Sequence, residues 1–563
     1  MKDITTLQGL NLQSETSIIT VKINETESVK ELLKLIQNFH PLFLKSFKFQ
    51  QDQLLLESKL PSLWKEIAYT LIDLSIDKIT YEDAKEYIVN EVIKYRVASM
   101  STLTLLNSAF KKGYEVTPTL VMDRMLGYTK TLNRHYTLGC GKGSQIMYSI
   151  SSSQDSKIAK EIQRDKWASN QIIEKLALPI PKWQVLESED DIEKTWDLYQ
   201  KPLVIKPTGL TGGKGVSMNI KTIDQAKKAY RWAKEKTDEK IRPLWQKKIM
   251  MQEQVQGEDY RLLVIDGKLE IVTKRIPAFI IGDGKKNIEQ LIEETNNDPR
   301  RDISNPAHTL KPIRIDEPLL EFLKEQNLSL QYIPKKDEKV TVRKVASMSQ
   351  GGITEDYTDK VGPEIKYIVE SIAKSIHAFV IGADILCNDI SKPLTKENGG
   401  ILEINTMPEA YLNLFPVIGE SREYVGDIYI EKLLKENKTK RIVTIGQFTK
   451  DIPTLLRQKS ILGSYLTDEE YIGEFKDGDI LFNSLKVNSG VDKQKAIEAL
   501  KINASLDAIL IHHRDWQDVR ENGLGFDRID LVIVSKQQST QKENFKIIRK
   551  YQRKGLIDKI KII

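Results

Sequence analysis

The sequence predicts an α+β protein: a central pair of α+β lobes, a small α+β segment before it and an α/β segment after it. Three observations carry this reading. Tyr260-Arg-Leu-Leu-Val-Ile265 and Lys268 to Lys274 flank Asp266-Gly267, a strong hairpin signal. Antiparallel strands with flanking helices make a lobe pair rather than a doubly wound sheet. In the tail, Leu506 to Ile511 and Ile529 to Val534 are apolar, β-branched runs of buried-strand type, which predicts a parallel sheet. The 563 residues suffice for three or four domains, and the texture changes place them at 1–156, 157–438 and 439–563.

Charged residues make up 29% and hydrophobic residues 40%, as in ordinary globular chains. The net charge of +6 is small and its lysines are interspersed with acids, which argues against a nucleic-acid partner. Cys140 and Cys387 are too few for a disulfide framework, and Cys387 reads as a packed core thiol. No apolar h-region follows Met1-Lys2-Asp3 and no apolar run reaches membrane-span length, so a cytoplasmic protein without a membrane partner is expected.

In the first segment Ser17 to Ile23 alternates as a strand, and Val29 to Phe39, Leu63 to Leu74 and Tyr81 to Tyr95 carry helical spacing, with Tyr95 to Lys111 able to continue. Leu138-Gly-Cys-Gly-Lys-Gly-Ser-Gln145 looks like a phosphate loop but lacks the Gly-x-x-x-x-Gly-Lys-Ser/Thr spacing, and a turn is the better reading. Beyond it, Lys160 to Leu176 reads as one helix, Pro202 to Lys206 and Lys248 to Val255 as strands, Lys339 to Ala346 as a strand, and Pro363 to Phe379 as a helix. Val380 to Leu386 and Gly400 to Asn405 read as further strands.

The central stretch holds the candidate chemistry. Lys166 and Lys206 can reach phosphate oxygens as point charges. Thr208 to Gly215 is a glycine-rich loop, with Gly209, Gly212, Gly213, Lys214 and Gly215, whose amides can approach phosphates closely. Glu253 to Val255 can meet adenine through backbone groups, and Asp259 can take ribose hydroxyls. Arg261, Lys274 and Arg275 form a cluster that wants anionic company. Glu403 and Asn405 share one strand face, and Asp384 lies on another apolar strand. Two carboxylates and an amide oxygen suit a magnesium that also binds phosphate. Each feature has a plainer reading: a solvated lysine, a polar turn, a surface charge ladder, or a structural salt bridge in place of the metal. The combination favours ATP with magnesium, used to activate a carboxylate.

These residues resemble the ATP-grasp superfamily, and within it the cyanophycin synthetase family, over about 157–434. The most specific pieces are Gly257-Glu-Asp-Tyr-Arg-Leu-Leu-Val264, Arg275-Ile-Pro-Ala-Phe-Ile-Ile-Gly-Asp-Gly284, Asn297-Asp-Pro-Arg-Arg301, Arg343-Lys-Val-Ala-Ser-Met-Ser-Gln-Gly-Gly352 and Gly382-Ala-Asp-Ile-Leu-Cys-Asn-Asp-Ile-Ser391. The resemblance implies the ATP-grasp fold, two α+β lobes clasping ATP. It also implies that Lys166 and Lys206 hold phosphates, that Gly209 to Gly215 cover them, and that Glu253, Val255 and Asp259 hold adenosine. Arg261 and Arg343 would face the phosphoryl group and substrate carboxylate. Ser349, Gly351 and Gly352 would lie near the acceptor, and Asp384, Glu403 and Asn405 would bind magnesium. Ser347 and Thr406-Met-Pro-Glu409 depart from the family pattern at the substrate end. His308 is expected to be structural.

The implied activity is ATP-dependent ligation of a carboxylate to an amine through an acyl-phosphate. Substrates would be amino acids or short peptides, acidic ones favoured by Arg261, Lys274, Arg275 and Arg343, and the enzyme a homo-oligomer. The tail keeps Asn522-Gly-Leu-Gly-Phe-Asp-Arg-Ile-Asp530, similar to the family's Mur-ligase-like part. Where Gly-Thr-Asn-Gly-Lys-Thr would follow the strand Arg441 to Ile445, it has Gly446-Gln-Phe-Thr-Lys-Asp451. A degenerate, non-catalytic Mur-ligase-like α/β domain is expected. Other readings are a non-catalytic scaffold that kept the ATP fold and a glutathione-synthetase-like ligase.

Overall fold

The computed structural model describes residues 4–94, 100–119, 135–210, 214–240, 247–303, 305, 308–406, 408, 410–459 and 464–563. The chain forms two compact units, one of Met1–Ser149, Ser304–Ala307 and Gly426–Ile563, the other of Ile150–Ile303 and His308–Val425. The first and last segments, expected as separate domains, share one unit.

That unit begins with β1 (Ile4–Leu7), β2 (Ile18–Lys22), β3 (Ser46–Gln50) and β4 (Gln53–Glu57), an antiparallel sheet in the order β1-β2-β4-β3. Helix α1 (Glu27–Phe39) starts where the Thr26 hydroxyl accepts from the Val29 amide, and buries Val29, Leu32, Leu33, Ile36 and Phe39 as one stripe. Helices α2 (Trp64–Ser75) and α3 (Met100–Lys111) follow, then β5 (Val116–Pro118), β6 (His135–Leu138) and β7 (Gln145–Tyr148). The glycine loop between β6 and β7 is structural. Gly141 has φ +57, and a Cβ there would stand 2.4 Å from the Leu506 carbonyl oxygen.

The second unit opens with the short β8 (Ser151–Ser152) and helices α4 (Lys157–Arg164) and α5 (Lys166–Lys175). The single helix expected from Lys160 is broken at Asp165, whose backbone is extended (φ −124, ψ 117) and whose carboxylate accepts from the Trp167 amide. The break sets Lys166 at the start of a new helix. Strands β9 (Trp183–Leu186), β10 (Leu203–Pro207), β11 (Ser217–Ile220) and β12 (Ile249–Glu253) pair antiparallel as β11-β10-β12-β9. Leu203, Ile205, Ile249 and Met251 pack with Ala226, Tyr230 and Ala233 of α6 (Ile223–Lys240). Alternation then turns Lys206 and Gln252 to the opposite face.

The remaining elements of this unit are β13 (Glu258–Ile265), β14 (Lys268–Ile276), β15 (Phe279–Ile281), α7 (Ile288–Asn296), α8 (Glu317–Glu325), β16 (Lys339–Thr341), β17 (Ile353–Asp356), α9 (Pro363–Ser375), β18 (Val380–Cys387) and β19 (Gly399–Asn405). Asp266 (φ 48) and Gly267 (φ 67) make the hairpin turn joining β13 to β14. The main sheet is antiparallel, in the order β17-β14-β13-β18-β19. Tyr260, Leu262, Val264, Ala383, Ile385 and Cys387 line its apolar face with Ile365, Val369 and Ile372 of α9. Cys387 is thus a core thiol. β15 and β16 pair over a separate core that includes Ile288, Leu291, Leu319 and Leu323. The strand expected to reach Ala346 stops at Thr341, because Arg343 turns inward to Asp316.

The chain then returns to the first unit with β20 (Lys440–Ile445), α10 (Ile452–Arg457), β21 (Ile472–Lys476), β22 (Asp479–Phe482), β23 (Leu485–Asn488), α11 (Lys493–Ile502), β24 (Ala508–His513), α12 (Trp516–Asn522), β25 (Ile529–Val534), α13 (Lys542–Arg553) and β26 (Ile557–Ile562). Their order is β23-β22-β21-β24-β20-β25-β26, with β21, β24, β20, β25 and β26 parallel, as the apolar runs predict. The N-terminal segment is stitched to a loop and a helix of this sheet: the Leu10 amide donates to the Phe526 carbonyl at 2.8 Å, and the Tyr551 hydroxyl to the Asn11 carbonyl at 2.6 Å. Among the described residues, no helix is long and apolar enough to cross a membrane.

Candidate active site

The polar face of the main sheet of the second unit gathers Asp259, Arg261, Asp384, Glu403 and Asn405. Register places Arg261 of β13 opposite Asp384 of β18, Asp384 opposite Glu403 of β19, and Asp259 of β13 opposite Arg275 of β14. The two-residue period adds Asn405 to the same face, opposite Gly382. A Cβ on Gly382 would lie 2.9 Å from Arg261 Nη1, so the absent side chain leaves room for the guanidinium.

This face is internally paired. Arg261 Nη2 donates to Asp384 Oδ2 at 3.1 Å, and Arg275 Nη2 stands 3.2 Å from the same oxygen. Arg275 also donates through Nε and Nη2 to Asp259 Oδ1, at 2.9 and 2.6 Å. Burial pushes the Asp259 carboxyl up, Arg275 opposes that, and the charge of Asp384 adds to it. Burial alone would lower the pKa of Arg275, but Asp384 and Asp259 outweigh it and hold the guanidinium firmly protonated. The salt bridge set aside in favour of a metal for Asp384 is therefore present, because two arginines reach it across the sheet. Glu403 faces Lys166 at 3.6 Å, and Asn405 Oδ1 accepts from Gln163 at 3.3 Å.

At the other end, Lys206 is buried and donates to Gln252 Oε1 at 2.8 Å, with no carboxylate within ion-pairing distance among the described residues. Burial and the positive charge of Lys166 bring its pKa down to about 8, against an opposing pull from Glu403. Lys166 donates to the Leu210 carbonyl at 2.7 Å, and its amide to the Thr208 carbonyl at 3.1 Å. Thr208 Oγ1 and Gln252 Nε2 are buried without hydrogen-bond partners. Gln252 was missed in the sequence, although strand alternation already sets it on the face of Lys206.

Gly209 follows β10, Lys214 is exposed, and Gly215 has φ +73, whereas Gly212 and Gly213 lie outside the described residues. The Glu253 carboxylate accepts from the Gln200 amide at 2.9 Å, and the half-buried Val255 follows β12. Met407 and Glu409 of the divergent Thr406 to Glu409 stretch also lie outside the described residues.

Arg343 does not join the Arg261 group. It is buried, forks onto Asp316 at 2.7 and 2.9 Å, and donates to the Arg314 carbonyl at 2.6 Å. Asp316 caps α8, so this arginine anchors a helix start. Lys274 pairs with Glu258 at 3.0 Å. Each of the four cations expected to attract an acidic substrate thus has a carboxylate of its own. Ser349 Oγ lies 2.9 Å from Ser347 Oγ. Gly351 (φ +92) and Gly352 close the turn into β17, and a Cβ on Gly351 would stand 2.5 Å from Ile313 Cγ1. The Gly351 carbonyl accepts from Arg301 Nη1 at 3.1 Å, an arginine to which the sequence reading assigned no role. His308 Nδ1 meets the Asp302 carbonyl at 3.2 Å.

The lysine end fits a polyphosphate: two cations, one carboxylate and two orphaned buried donors ask for an anion. For a metal, no group of three or more His, Cys, Asp or Glu forms a site among the described residues. The Asp384 and Glu403 pair with Asn405 fits a magnesium that arrives with phosphates and keeps waters, rather than one held by a protein-only cage.

Comparison with known proteins finds one matching domain family and several relatives. The model of the RimK-like ATP-grasp domain matches residues 163–288. Cyanophycin synthetase of Crocosphaera subtropica is 31% identical over 410 residues, 70% of this chain and 44% of that protein. The glutathione biosynthesis bifunctional protein of Clostridium perfringens is 29% identical over 354 residues, 60% of this chain and 42% of that one. A solved bifunctional glutathione synthetase from Pasteurella multocida is 24% identical, with a TM-score of 0.47, covering 65% of this chain and 47% of that one. The chain spans less than half the length of these relatives. Residues 163–288 thus match an ATP-grasp domain, and over 410 residues the chain resembles the cyanophycin synthetases.

Proposed function

We propose that the protein is an ATP-dependent carboxylate–amine ligase that joins an amino acid to an amino acid or peptide. The observation that carries this reading is the pair Lys166 and Lys206, in which a buried lysine with no carboxylate at ion-pairing distance among the described residues sits in the field of a second cation. ATP with magnesium supplies the phosphoryl group that turns the substrate carboxylate into an acyl-phosphate. Lys206 and Lys166 would hold the phosphates. Gly209 to Gly215 would cover them, and Glu253, Val255 and Asp259 would serve adenosine. Asp384, Glu403 and Asn405 would take the magnesium, which requires Arg261 and Arg275 to share or release Asp384. A released Arg261 guanidinium would meet the oxygens of the transferring group, where fixed positive charge stabilises charge that develops in the transition state. Ser349, Gly351 and Gly352 would border the acceptor. No covalent protein nucleophile takes part.

The test is ATP-, magnesium- and substrate-dependent phosphate release with mass spectrometry of the products formed from pooled amino acids and short peptides. Lys206→Ala and Glu403→Ala should abolish it, and full turnover in both variants would sink the assignment. The long alignment to the Clostridium perfringens protein favours a second reading, a glutathione-synthetase-like ligase, which the product mass separates from the first.

We further read residues 1–156 as a reduced N-terminal domain, 157–438 as the ligase domain, and 439–563 as a degenerate Mur-ligase-like domain without its own ligation. The parallel sheet supports the last point, as does a β20 loop that lacks the glycine spacing of a phosphate cradle. A cytoplasmic homo-oligomer completes the reading, and light scattering tests the assembly.

A further inference from the structure

The region between β15 and the Gly351 turn forms an open cleft of about 480 Å³, the size of a small-molecule site. Its walls are largely apolar, with Phe279, Leu291, Leu310, Ile353 and Val417 among them. Its charges are unevenly matched. Asp283 and Glu294 pair with Lys286 at 3.9 and 2.8 Å, and Asp298 pairs with Arg300 at 2.7 Å. Arg301 also lines the cleft, is 6% exposed, and has no carboxylate within 4.0 Å among the described residues. Its Nη1 donates to the Lys311 and Gly351 carbonyls, while Nε is buried without a hydrogen-bond partner. Burial pulls its pKa down, with Asp298 opposing and Arg300 adding to the effect. A buried guanidinium of this kind is the natural partner of a planar carboxylate.

Position narrows which carboxylate. Ile353 lies opposite Ile276, on the strand beside β14, so β17 is three strand steps from Asp384. At about 4.8 Å per step this is roughly 15 Å, too far for the reacting group and suited to the distant end of an extended substrate.

We propose that the Arg301 cleft is a subsite for the unactivated carboxylate of an amino acid or peptide substrate bearing an apolar side chain. This rests on the ligase reading. It shifts substrate recognition from the internally paired Arg261, Lys274, Arg275 and Arg343 to a cation with no carboxylate within 4.0 Å among the described residues.

Binding to the full chain without ATP tests it, with N-acetyl-L-leucine, N-acetyl-L-leucinamide and N-acetyl-L-aspartate as probes in calorimetric titrations. The free acid of leucine should bind at least 10-fold tighter than its amide and tighter than the aspartate probe. Arg301→Met should bring the acid down to the amide level, and Arg301→Lys should retain part of the preference. Equal affinity of acid and amide in the unaltered protein would overturn the subsite, and that comparison stands even if Arg301→Met fails to fold. Unchanged acid binding in folded Arg301→Met would overturn it too, leaving Arg301 as a pin for the Lys311 and Gly351 carbonyls. Tighter binding of the aspartate probe would overturn the apolar preference. Acid-selective binding in a protein without turnover refutes the ligase reading alone, whereas turnover without acid selectivity refutes the subsite alone.

Discussion

Asp384 and Glu403 stand directly opposite each other on β18 and β19, yet they answer to different cations, Arg261 and Arg275 on one side and Lys166 on the other. Removing either charge should abolish phosphate release, but the two losses should differ in stability. Asp384→Asn leaves the half-buried Arg261 without its carboxylate and Arg275 with Asp259 alone, which should cost about 2 kcal/mol, below the loss for a fully buried pair. Glu403→Gln frees a lysine in a more open pair and should cost less than about 1 kcal/mol. Urea denaturation of both variants, read beside activity, separates the two roles.

Lys206 makes ATP binding pH-dependent. Its pKa in the folded protein is about 8, below the 10.5 of an ordinary lysine. Below pH 8 it is charged in both folded and unfolded chains. Between 8 and 10.5 only the unfolded chain keeps the proton, so this group adds stability as pH rises through that window. An anionic ligand demands the opposite state. ATP binding at pH 8 should therefore take up protons, and its affinity should fall above pH 8. Calorimetry in two buffers of different ionisation enthalpy measures the uptake, which Lys206→Met should eliminate.

A second titration belongs to the first unit. His513 is fully buried, and burial brings its pKa down to about 4, with Lys493 adding to the effect and Asp518 opposing it. Lys493 Nζ lies 3.1 Å from His513 Nδ1 and 2.8 Å from Asp518 Oδ1. Between pH 6.5 and 4 the unfolded chain binds the proton that the folded chain refuses. Stability should fall by about 3 kcal/mol as pH drops through this window. Thermal melts of His513→Asn across the same range should show a flatter pH dependence.

Gly351 should tolerate no side chain. Alanine there meets both a positive φ and the Ile313 side chain, so Gly351→Ala should cost on the order of 2 kcal/mol. The turn that Arg301 holds would shift with it. A larger rise in the KM for the amino-acid substrate than for ATP is the expected kinetic signature.

Much of the site was legible from strand alternation. The face shared by Glu403 and Asn405, the Asp266-Gly267 turn and the apolar run Ile529 to Val534 each follow from period and turn chemistry, and the structure has them. Partners were not legible, because pairing across strands depends on register. Arg275 reaching Asp384, or Arg343 reaching Asp316 rather than the Arg261 group, is decided by strands and loops far apart in sequence. The break at Asp165 was hidden for a different reason. Capping residues are common inside helical patterns, and only the backbone shows which one ends a turn. Arg301 is visible as a motif residue, but that no carboxylate lies within 4.0 Å of it among the described residues depends on packing that the sequence does not show.

The pairing of Leu10 with Phe526 and of Asn11 with Tyr551 bears on how the chain is made. The first unit cannot close its core until the ribosome has delivered residues more than 500 positions after the first strand. The second unit lies in the intervening stretch and can complete its sheets earlier. Synthesis should therefore produce a nascent chain with a formed second unit and an N-terminal segment waiting for the Phe526 loop and the Tyr551 helix, so slow translation of residues 440–563 would prolong exposure of Leu10.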